Sequence, residues 1–266
     1  MKAIILAAGK GERLKEITSR IPKPMIEVNG KPILQHNIEL CKKYGIKDIY
    51  INLHHLPEKI TDYFGNGKKF GVQIKYSYEK ELLGTSGAVR KIAKEYWGLK
   101  DIIPPSLQHS NSPILPVSMS PNPKVPQSPS PQAPQSFFVI YGDNYSEYNL
   151  NLLLEKYEKQ KPIGIIAFHY REDVSQSGVA EFDKDNRIIK FIEKPKTGET
   201  ANHWVNAGIY LLSTEILQHI PEGYSDFGKD IFPKLLIENI PLHGICSKVE
   251  LMAVDTPELF YKNIKL

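Results

Sequence analysis

The sequence predicts an α/β fold in which a mixed, mostly parallel sheet carries helices on both faces. Two observations support this prediction. In the first half, short apolar runs typical of strands alternate with longer segments of helical periodicity, and that β-α-β-α order is characteristic of doubly wound parallel sheets. In the second half, several strand-like segments follow one another, so we expect a small strand-rich lobe over the ligand cleft.

The first half supplies the alternating elements. Its predicted strands are AIILAA (3–8), DIYINL (48–53), VQIKYSY (72–78) and FFVIYGD (137–143), and its predicted helices are 32–43, 58–64 and 86–97. The first helix shows the clearest pattern, because one face would carry Ile33, Leu34, Asn37, Ile38, Leu40 and Cys41. Ligands of such sheets bind at the carboxyl ends of the strands, so functional residues are expected there.

The second half predicts more strands than helices. GIIAFHY (164–170) and VNAGIYLL (205–212) are strand-like. Between them, the stretch 178–195 alternates on both sides of Asp183–Asn186, which predicts a hairpin. Within 225–236, a helix is expected after Phe227.

Residues 99–136 interrupt the pattern. Ten of the 20 prolines lie there, among many Ser, Asn and Gln residues. A structureless loop of this length is uncommon inside a compact domain unless it is disordered or functional. We expect a disordered, dispensable surface insert within a single domain over 1–266, and a partner-docking segment is the alternative.

Composition excludes several classes of protein. The hydrophobic fraction of 41% and charged fraction of 24% are ordinary for a globular protein, and the net charge of +4 comes without a basic run, so no nucleic-acid partner is expected. The two cysteines, Cys41 and Cys246, form no disulfide framework or metal pair, which favours a reducing cytoplasm. No apolar stretch approaches the roughly 20 residues of a membrane-spanning helix, and the run 3–8 is too short for a signal peptide. The sequence leaves homo-oligomerisation open.

The first strand opens into a glycine loop, LAAGKGERL (6–14). Gly9 and Gly11 would let the backbone approach an anion closely. By itself this pattern is often only a tight turn. Leu14 stands where a dinucleotide-binding motif needs a small residue, and the Gly-Lys-Ser/Thr of a P-loop is absent.

Two basic residues follow the glycines. Arg13 comes directly after them, and Lys23 lies between Pro22 and Pro24. Because proline fixes its own backbone and restricts the residue before it, Lys23 is expected to be held in position. A fixed cation suits triphosphate chemistry. The alternative is a surface turn with a solvated lysine.

At this point the chain resembles a known family, the sugar-phosphate nucleotidyltransferases (NDP-sugar pyrophosphorylases). The resemblance rests on motifs that occur in the family's order and cover the chain outside the insert: LAAGKGERL, PKPMIEVNGKPIL (22–34), ELLGTSGAV (81–89), VIYGDN (139–144), FIEKP (191–195), VNAGIY (205–210) and VDTPE (254–258). It implies a Rossmann-like sheet of the nucleotide-diphospho-sugar transferase type with a small β-rich sugar-binding lobe.

The resemblance implies roles for individual residues. Catalytic roles fall on Arg13, Lys23 and Asp143. The nucleotide would be bound by Leu6, Ala8, Gly9, Gly11, Gly84 and Thr85. The acceptor sugar would be bound by Gly178, Glu193, Lys194, Asn206 and Gly208. Taken alone, the charged pair Glu193 and Lys194 at the end of an apolar alternating strand would be interpreted as solvated.

Magnesium is the implied cofactor, with Asp143 and Asp255 as ligands. Asp143 follows Gly142 at the end of an apolar strand, and Mg²⁺ favours one or two carboxylates plus phosphate oxygens. A cap or turn is the alternative role for Asp143. The aromatic residue that the family carries before the second aspartate is missing here, so the match can slip to Ala253. Asp255 can also cap a helix that begins at Pro257.

The resemblance therefore predicts transfer of a nucleotidyl group from a nucleoside triphosphate to a sugar 1-phosphate, giving an NDP-sugar and pyrophosphate. The stretch 51–67 is more similar to mannose- or heptose-1-phosphate guanylyltransferases than to thymidylyltransferases, which favours GTP and a manno-configured sugar. Ala8 in the glycine loop slightly weakens the GTP interpretation. The alternatives are cytidylyl or uridylyl transfer to another phosphate acceptor, and a catalytically inactive nucleotide-sugar-binding regulator.

Overall fold

A computed structural model describes residues 1–99 and 134–254. Most of the expected insert, 99–136, and the expected metal ligand Asp255 therefore lie outside the described residues. The strands are β1 (Lys2–Leu6), β2 (Glu27–Val28), β3 (Lys31–Pro32), β4 (Asp48–Leu53), β5 (Gln73–Tyr78), β6 (Ser136–Tyr141), β7 (Asn144–Ser146), β8 (Gly164–Tyr170), β9 (Gly178–Phe182), β10 (Ile188–Glu193), β11 (Trp204–Ser213), β12 (Leu242–Ser247) and β13 (Leu251–Ala253). The helices are α1 (Lys15–Thr18), α2 (Ile33–Lys43), α3 (Pro57–Phe64), α4 (Gly84–Tyr96), α5 (Leu150–Gln160) and α6 (Phe232–Ile237).

The main sheet is mixed, as predicted. Its described strands run in the order β10-β9-β11-β6-β1-β4-β5, and β8 extends from β11 to β12. Strands β6, β1, β4 and β5 are mutually parallel, whereas β11 pairs antiparallel with β6 and β8. The carboxyl ends of the parallel strands therefore meet at one edge, which is where the sequence places its candidate residues.

Helices cover both faces of this sheet because alternate strand residues point to opposite sides. On one face, Ala3 and Ile5 of β1 belong to a buried cluster that includes residues of α2, α3 and α5. On the other face, Ile4 belongs to a second cluster with residues of α4 and α6. Full burial of one such side chain contributes about 1.5–3 kcal/mol. This two-faced arrangement confirms the doubly wound prediction.

The amphipathic pattern of the first long helix is confirmed in detail. In α2 the buried residues are Ile33, Leu34, Asn37, Ile38, Leu40 and Cys41, the same six that the spacing predicts. Asn37 is polar yet 1% exposed, and its amide donates to the carbonyl oxygens of Tyr141 and Asn144 at 3.3 and 2.9 Å. The helix thus supports the end of β6 with a hydrogen bond as well as apolar packing.

The predicted hairpin is also present. Strands β9 and β10 pair antiparallel, and the Asp183 carboxylate accepts from the backbone amides of Asp185 and Arg187 at 2.9 Å each. Asn186 supplies the left-handed backbone of the turn with a φ of 61°. The helix expected after Phe227 begins as a π-helix over Phe227–Ile231 and continues as α6.

Several elements were not predicted. They are α5, β12, the short strands β2, β3, β7 and β13, and the single turn α1. Helix α5 does carry a start signal, because the Asn149 side chain accepts from the Asn151 amide at 3.1 Å. Within the described ranges, no helix has the length and apolar character needed to cross a membrane.

Candidate active site

A cavity of about 580 Å³ opens at the carboxyl ends of the parallel strands. We call it the larger cavity. Its walls come from the glycine loop after β1, the ends of β4, β5 and β6, and the start of α4. Its lining includes Leu6, Ala8, Gly9, Gly11, Arg13, Lys23, Asn52, Glu79, Gly84, Thr85, Tyr141, Asp143, Gln176, Lys194 and Asp226.

A second cavity of about 170 Å³ adjoins it. This smaller cavity is lined by the end of β8, the β9–β10 hairpin and β11, including Asn144, His169, Arg171, Gly178, Glu193, Asn206, Gly208 and Gly228. Four residues line both cavities: Tyr141, Asp143, Gln176 and Asp226. The two cavities therefore form one cleft with a junction at these four side chains.

Every candidate residue in the described ranges lies on this cleft. The predicted nucleotide-binding and catalytic residues line the larger cavity. Gly178, Glu193, Asn206 and Gly208 line the smaller one. Lys194 differs from the other predicted sugar-binding residues, because it lines the larger cavity.

The glycine loop folds tightly against its own continuation. Gly11 has a φ of 62°, and a Cβ there would lie 2.6 Å from Thr18 Cγ2. The Gly11 carbonyl accepts from the Leu14 amide at 2.9 Å and from the Thr18 hydroxyl at 3.0 Å. Leu14 is 4% exposed and packs in a small cluster with Val254. The leucine that departs from the dinucleotide-binding pattern is thus a core residue of this turn.

Lys23 and Asp143 form an ion pair at the junction. Lys23 begins a 3-10 turn after Pro22, is 7% exposed, and donates from Nζ to Asp143 Oδ2 at 2.6 Å. This burial excludes the solvated-lysine alternative. Asp143 follows β6, and the preceding Gly142 amide donates to the Leu6 carbonyl at 2.8 Å. The carboxylate is therefore fixed beside the glycine loop.

Sequence reasoning missed a buried polar pair in the larger cavity. Asn52 accepts from the Ala7 amide at 2.7 Å and donates to Glu79 Oε1 at 2.8 Å. Glu79 Oε2 accepts from the Leu83 amide at 3.0 Å. Asn52 lies near the end of β4, and Glu79 directly follows β5. The strand-end rule identifies both positions when it is applied to polar residues of any type.

Asp226 is the second missed residue, and it lies at the junction. Its Oδ1 accepts from the amides of Gly228 and Lys229 at 2.9 and 3.1 Å, and its Oδ2 accepts from the Thr85 hydroxyl at 2.9 Å. An aspartate before a helix is a capping signal, but nothing in the local sequence shows that it faces α4, which is 141 residues away in the chain.

Glu193 extends into a space that two glycines leave open. A Cβ at Gly178 or Gly228 would lie 2.8 or 2.6 Å from Glu193 Oε2. Burial raises the pKa of this carboxyl group, and the charge of Asp226 raises it further, whereas Lys194 and Lys229 oppose the shift. Glu193 is therefore a half-buried acceptor, whereas Lys194 is exposed, so the solvated interpretation of this pair is wrong for Glu193 and holds for Lys194.

Other polar groups of the smaller cavity are held by internal contacts. Asn206 donates to the Tyr210 hydroxyl at 2.7 Å and accepts from the Gly208 amide at 2.9 Å. Burial raises the pKa of Tyr141 well above its usual value. Burial, aided by the charge of Arg171, lowers the pKa of His169 to about 4. The tyrosine and the histidine are therefore both neutral near pH 7.

One further hydrogen bond joins two walls of the larger cavity. Arg13 donates to Gln176 Oε1 at 3.2 Å, which joins the glycine loop to the segment before β9. The adjacent histidines 54 and 55 instead hydrogen-bond to the backbone oxygens of Glu79 and Thr18 at 2.9 and 2.6 Å. Within the described residues, no group of three or more His, Cys, Asp or Glu side chains is arranged to hold a metal ion.

The comparisons with known proteins agree with the fold. The family model described as "Nucleotidyl transferase" matches residues 2–103 and 127–249, and the chain belongs to this family. The chain is 34% identical over 248 residues to a UTP–glucose-1-phosphate uridylyltransferase of Synechocystis sp., covering 92% of this chain and 58% of the relative. It is 31% identical over 241 residues to mannose-1-phosphate guanyltransferase 2 of Candida glabrata, covering 90% and 57%. This chain thus spans a little under three fifths of the length of these two relatives.

Solved structures show the same fold at lower identity. HddC from Yersinia pseudotuberculosis, complexed with GMP-PN, aligns with a TM-score of 0.72 at 24% identity over 98% of this chain and 97% of that chain. A putative glucose-1-phosphate thymidylyltransferase from Bacillus anthracis aligns with a TM-score of 0.76 at 22% identity over 99% and 93%. These similarities confirm the predicted fold class.

Proposed function

We propose that the protein transfers a nucleotidyl group from a nucleoside triphosphate to a sugar 1-phosphate, producing an NDP-sugar and pyrophosphate. The observation that carries this proposal is the junction of two cavities at Asp143, whose carboxylate is paired with the buried Lys23 at 2.6 Å. The larger cavity suits a nucleotide and the smaller one a monosaccharide. The reacting phosphates would then meet at the junction.

The larger cavity offers the charge that the reaction requires. Arg13, Lys23 and Lys194 all line it. An oxygen of the sugar phosphate attacks the α-phosphorus in line, forming one P–O bond as the bond to pyrophosphate breaks. Negative charge shifts onto the departing pyrophosphate, so fixed cations stabilise the transition state. Arg13 and Lys23 would hold the triphosphate, and Lys194 would hold the sugar phosphate.

Direct transfer agrees with the state of the two thiols. Burial raises the pKa of Cys41 to about 12 and that of Cys246 to about 11. Neither cysteine lines the cleft. A thiolate nucleophile is therefore absent from the described part of the site, and no covalent intermediate is required.

The carboxylate of Asp143 fits Mg²⁺. Its side chain is 39% exposed, faces both cavities, and is a hard oxygen donor. Mg²⁺ in phosphoryl-transfer sites is held by one or two carboxylates together with substrate phosphates and water. When bound, the ion would neutralise phosphate charge. Asp143 would orient it, while Lys23 would fix the rotamer of Asp143.

Asp255 remains the proposed second ligand. Strand β13 pairs antiparallel with β7, and the register sets Ala253 opposite Asn144. Asn144 directly follows Asp143, so the described chain just before Asp255 runs beside the first metal ligand. This register brings the stretch that holds both matches beside Asp143 and leaves the choice between Asp255 and Ala253 to the resemblance.

We further propose guanosine as the preferred nucleoside. Glu79 is 6% exposed, lines the larger cavity, and is held by Asn52 and the Leu83 amide. An ionised carboxylate only accepts hydrogen bonds. Guanine presents N1–H and N2–H donors side by side, whereas the single N3–H of uracil lies between two carbonyl oxygens. A manno-configured sugar is proposed on the resemblance alone.

The remaining expectations are also proposals. One nucleotidyltransferase domain over 1–266 is supported by the family match on both sides of the insert. A cytoplasmic location is supported by Cys41 and Cys246, which are both free. Homo-oligomerisation has no support in the contacts of a single chain.

The test is pyrophosphate release from a matrix of GTP, UTP, dTTP, CTP and ATP against mannose, glucose, N-acetylglucosamine and heptose 1-phosphates, with Mg²⁺ or with EDTA. Lys23→Met should lose activity, while the matched control Lys31→Met, which removes an exposed lysine paired with Glu39, should keep it. A Mg²⁺-dependent signal for one pair supports the proposal and names both substrates. Silence across the matrix, with nucleotide still bound in calorimetry, would favour an inactive nucleotide-binding regulator.

A further inference from the structure

The segment 223–227 is fastened to the first turn of α4 by hydrogen bonds. The Ser225 carbonyl accepts from the amides of Ser86 and Gly87 at 3.1 and 3.3 Å, and the Ser225 amide donates to the Leu83 carbonyl at 3.0 Å. The two buried serine hydroxyls are also bonded, Ser86 Oγ to Ser225 Oγ at 2.7 Å. Segments far apart in the chain are thus held together by four hydrogen bonds.

Two glycines make this contact possible. A Cβ at Gly84 would lie 2.3 Å from the Ser225 carbonyl oxygen, and a Cβ at Gly87 would lie 2.3 Å from the Gly223 carbonyl oxygen. The obstructing atoms belong to the backbone and cannot rotate away. The close approach therefore depends on both glycines.

Thr85 lies inside this contact, and its hydroxyl is occupied. It donates to Asp226 Oδ2 at 2.9 Å and accepts from the Phe227 amide at 2.9 Å. A threonine hydroxyl has one proton to donate. Thr85 therefore cannot donate to a nucleotide unless it first releases Asp226.

Asp226 transmits the contact to the smaller cavity. It lines both cavities, and it caps the π-helix whose residue Gly228 forms part of the smaller cavity's wall. Gly228 in turn leaves the space that Glu193 occupies. The position of Thr85 thus affects the positions of Asp226, Gly228 and Glu193, which line the smaller cavity where an acceptor sugar would bind.

We propose that Thr85 is a positioning residue for the acceptor sugar, acting through Asp226, and is not a ligand of the nucleotide. This inference rests on the proposed function for the identity of the acceptor. Removal of the hydroxyl leaves a carboxylate oxygen and an amide without their partner. The sugar side of the cleft loosens, while the backbone contacts of Ser225 keep the start of α4 in place.

The experiment compares Thr85→Val, which keeps shape and loses the hydroxyl, with Thr85→Ser, which keeps the hydroxyl. Thr61→Val is the matched control, because Thr61 donates only to a backbone oxygen of its own helix and lies off the cleft. We expect Thr85→Val to raise the KM for the sugar phosphate about tenfold, which corresponds to about 1.4 kcal/mol. The KM for the triphosphate should stay within about twofold. Thr85→Ser and Thr61→Val should match the parent protein.

The opposite split overturns the inference: a raised KM for the triphosphate with an unchanged KM for the sugar phosphate would make Thr85 a nucleotide ligand. Unchanged kinetics in Thr85→Val would also overturn it. If that variant does not fold, Asp226→Asn takes its place. This change puts an NH2 group where Oδ2 accepts from Thr85, and it keeps the Oδ1 atom that caps the π-helix.

A binding measurement separates this inference from the proposed function. Calorimetry gives the affinities of GDP and GDP-mannose, or of UDP and UDP-glucose, and their ratio reports the contribution of the sugar. A parent protein that releases no pyrophosphate contradicts the proposed function, yet this ratio still decides the inference. If Thr85→Val brings this ratio closer to one than in the parent protein, the sugar contributes less to binding and the inference is supported. An unchanged ratio contradicts it.

Discussion

The Lys23 ammonium donates a 2.6 Å hydrogen bond to the Asp143 carboxylate, across 120 residues of sequence and at the junction of two cavities. The contact joins the turn after the glycine loop to the end of β6. It positions one cation and one anion where phosphate charge has to be neutralised.

Asp143→Asn should reduce kcat on the order of 100-fold or more, because the amide keeps the shape and loses the charge that holds Mg²⁺. The amide oxygen can still accept from the buried Lys23, but the ammonium loses its opposite charge, so the variant should fold with a lower Tm. Glu147→Gln, at an exposed position after β7, makes the same chemical change off the cleft and should remain active. Full activity of Asp143→Asn would contradict the proposed metal site.

Glu79→Gln should shift nucleotide preference from GTP toward UTP, because the amide adds a donor for a uracil oxygen and removes an acceptor for guanine. The measurement is the ratio of kcat/KM for the two triphosphates, which we expect to change at least about tenfold. The Tm should also fall, since an amide cannot accept from both Asn52 and the Leu83 amide. An unchanged ratio in a folded variant would exclude Glu79 from base recognition.

Gly228→Ala should raise the KM for the sugar phosphate about tenfold, because the new methyl group would lie 2.6 Å from Glu193 Oε2 and displace it. Glu193→Ala alone should weaken sugar binding by a similar factor. In the double variant the collision is gone, so the two effects should not add. Additive effects would show that Gly228 acts independently of Glu193.

His169 should make the fold sensitive to acid. Burial lowers its folded-state pKa to about 4 from the ordinary value of 6.5. The unfolded chain therefore takes up this proton first, so the free energy of unfolding falls as pH drops from about 6.5 to about 4. The loss is on the order of 3 kcal/mol. Urea denaturation at pH 7 and pH 4.5 should show a smaller difference for His169→Gln than for the parent protein, and an equal difference would contradict the prediction.

Deletion of residues 104–126 should leave kcat and both KM values within about twofold. The family model matches residues 2–103 and 127–249, on either side of this stretch. The control is a chain in which the stretch is replaced by a Gly/Ser linker of equal length. A deletion variant that folds but is inactive, beside an active linker variant, would show that the length of the segment matters.

The sequence predicts best what local periodicity determines. The buried face of α2, the parallel strands and the Asp183 turn follow from spacing and turn chemistry, which act over a few residues. Helix α5 was not predicted, although the capping residue Asn149 and the apolar spacing of the following residues indicate a helix there. Strands β7 and β13 have three residues each, and they and β12 pair with partners that are distant in the sequence.

The site divides in the same way. Arg13, Lys23, Asp143 and Glu193 belong to motifs that can be recognised in one stretch of sequence. Asn52, Glu79 and Asp226 do not, because their positions in the cleft depend on which strand end or helix faces them. Long-range contacts such as Thr85 to Asp226 cannot be derived from spacing.

The contact of Gly84 and Gly87 with the carbonyl oxygens of Ser225 and Gly223 leaves no room for a side chain on either helix position. Recombination between relatives is constrained accordingly. A chimera whose crossover separates 83–87 from 223–227 would combine the first turn of α4 from one parent with the segment 223–227 from the other. Viable crossovers should therefore inherit both segments from the same parent.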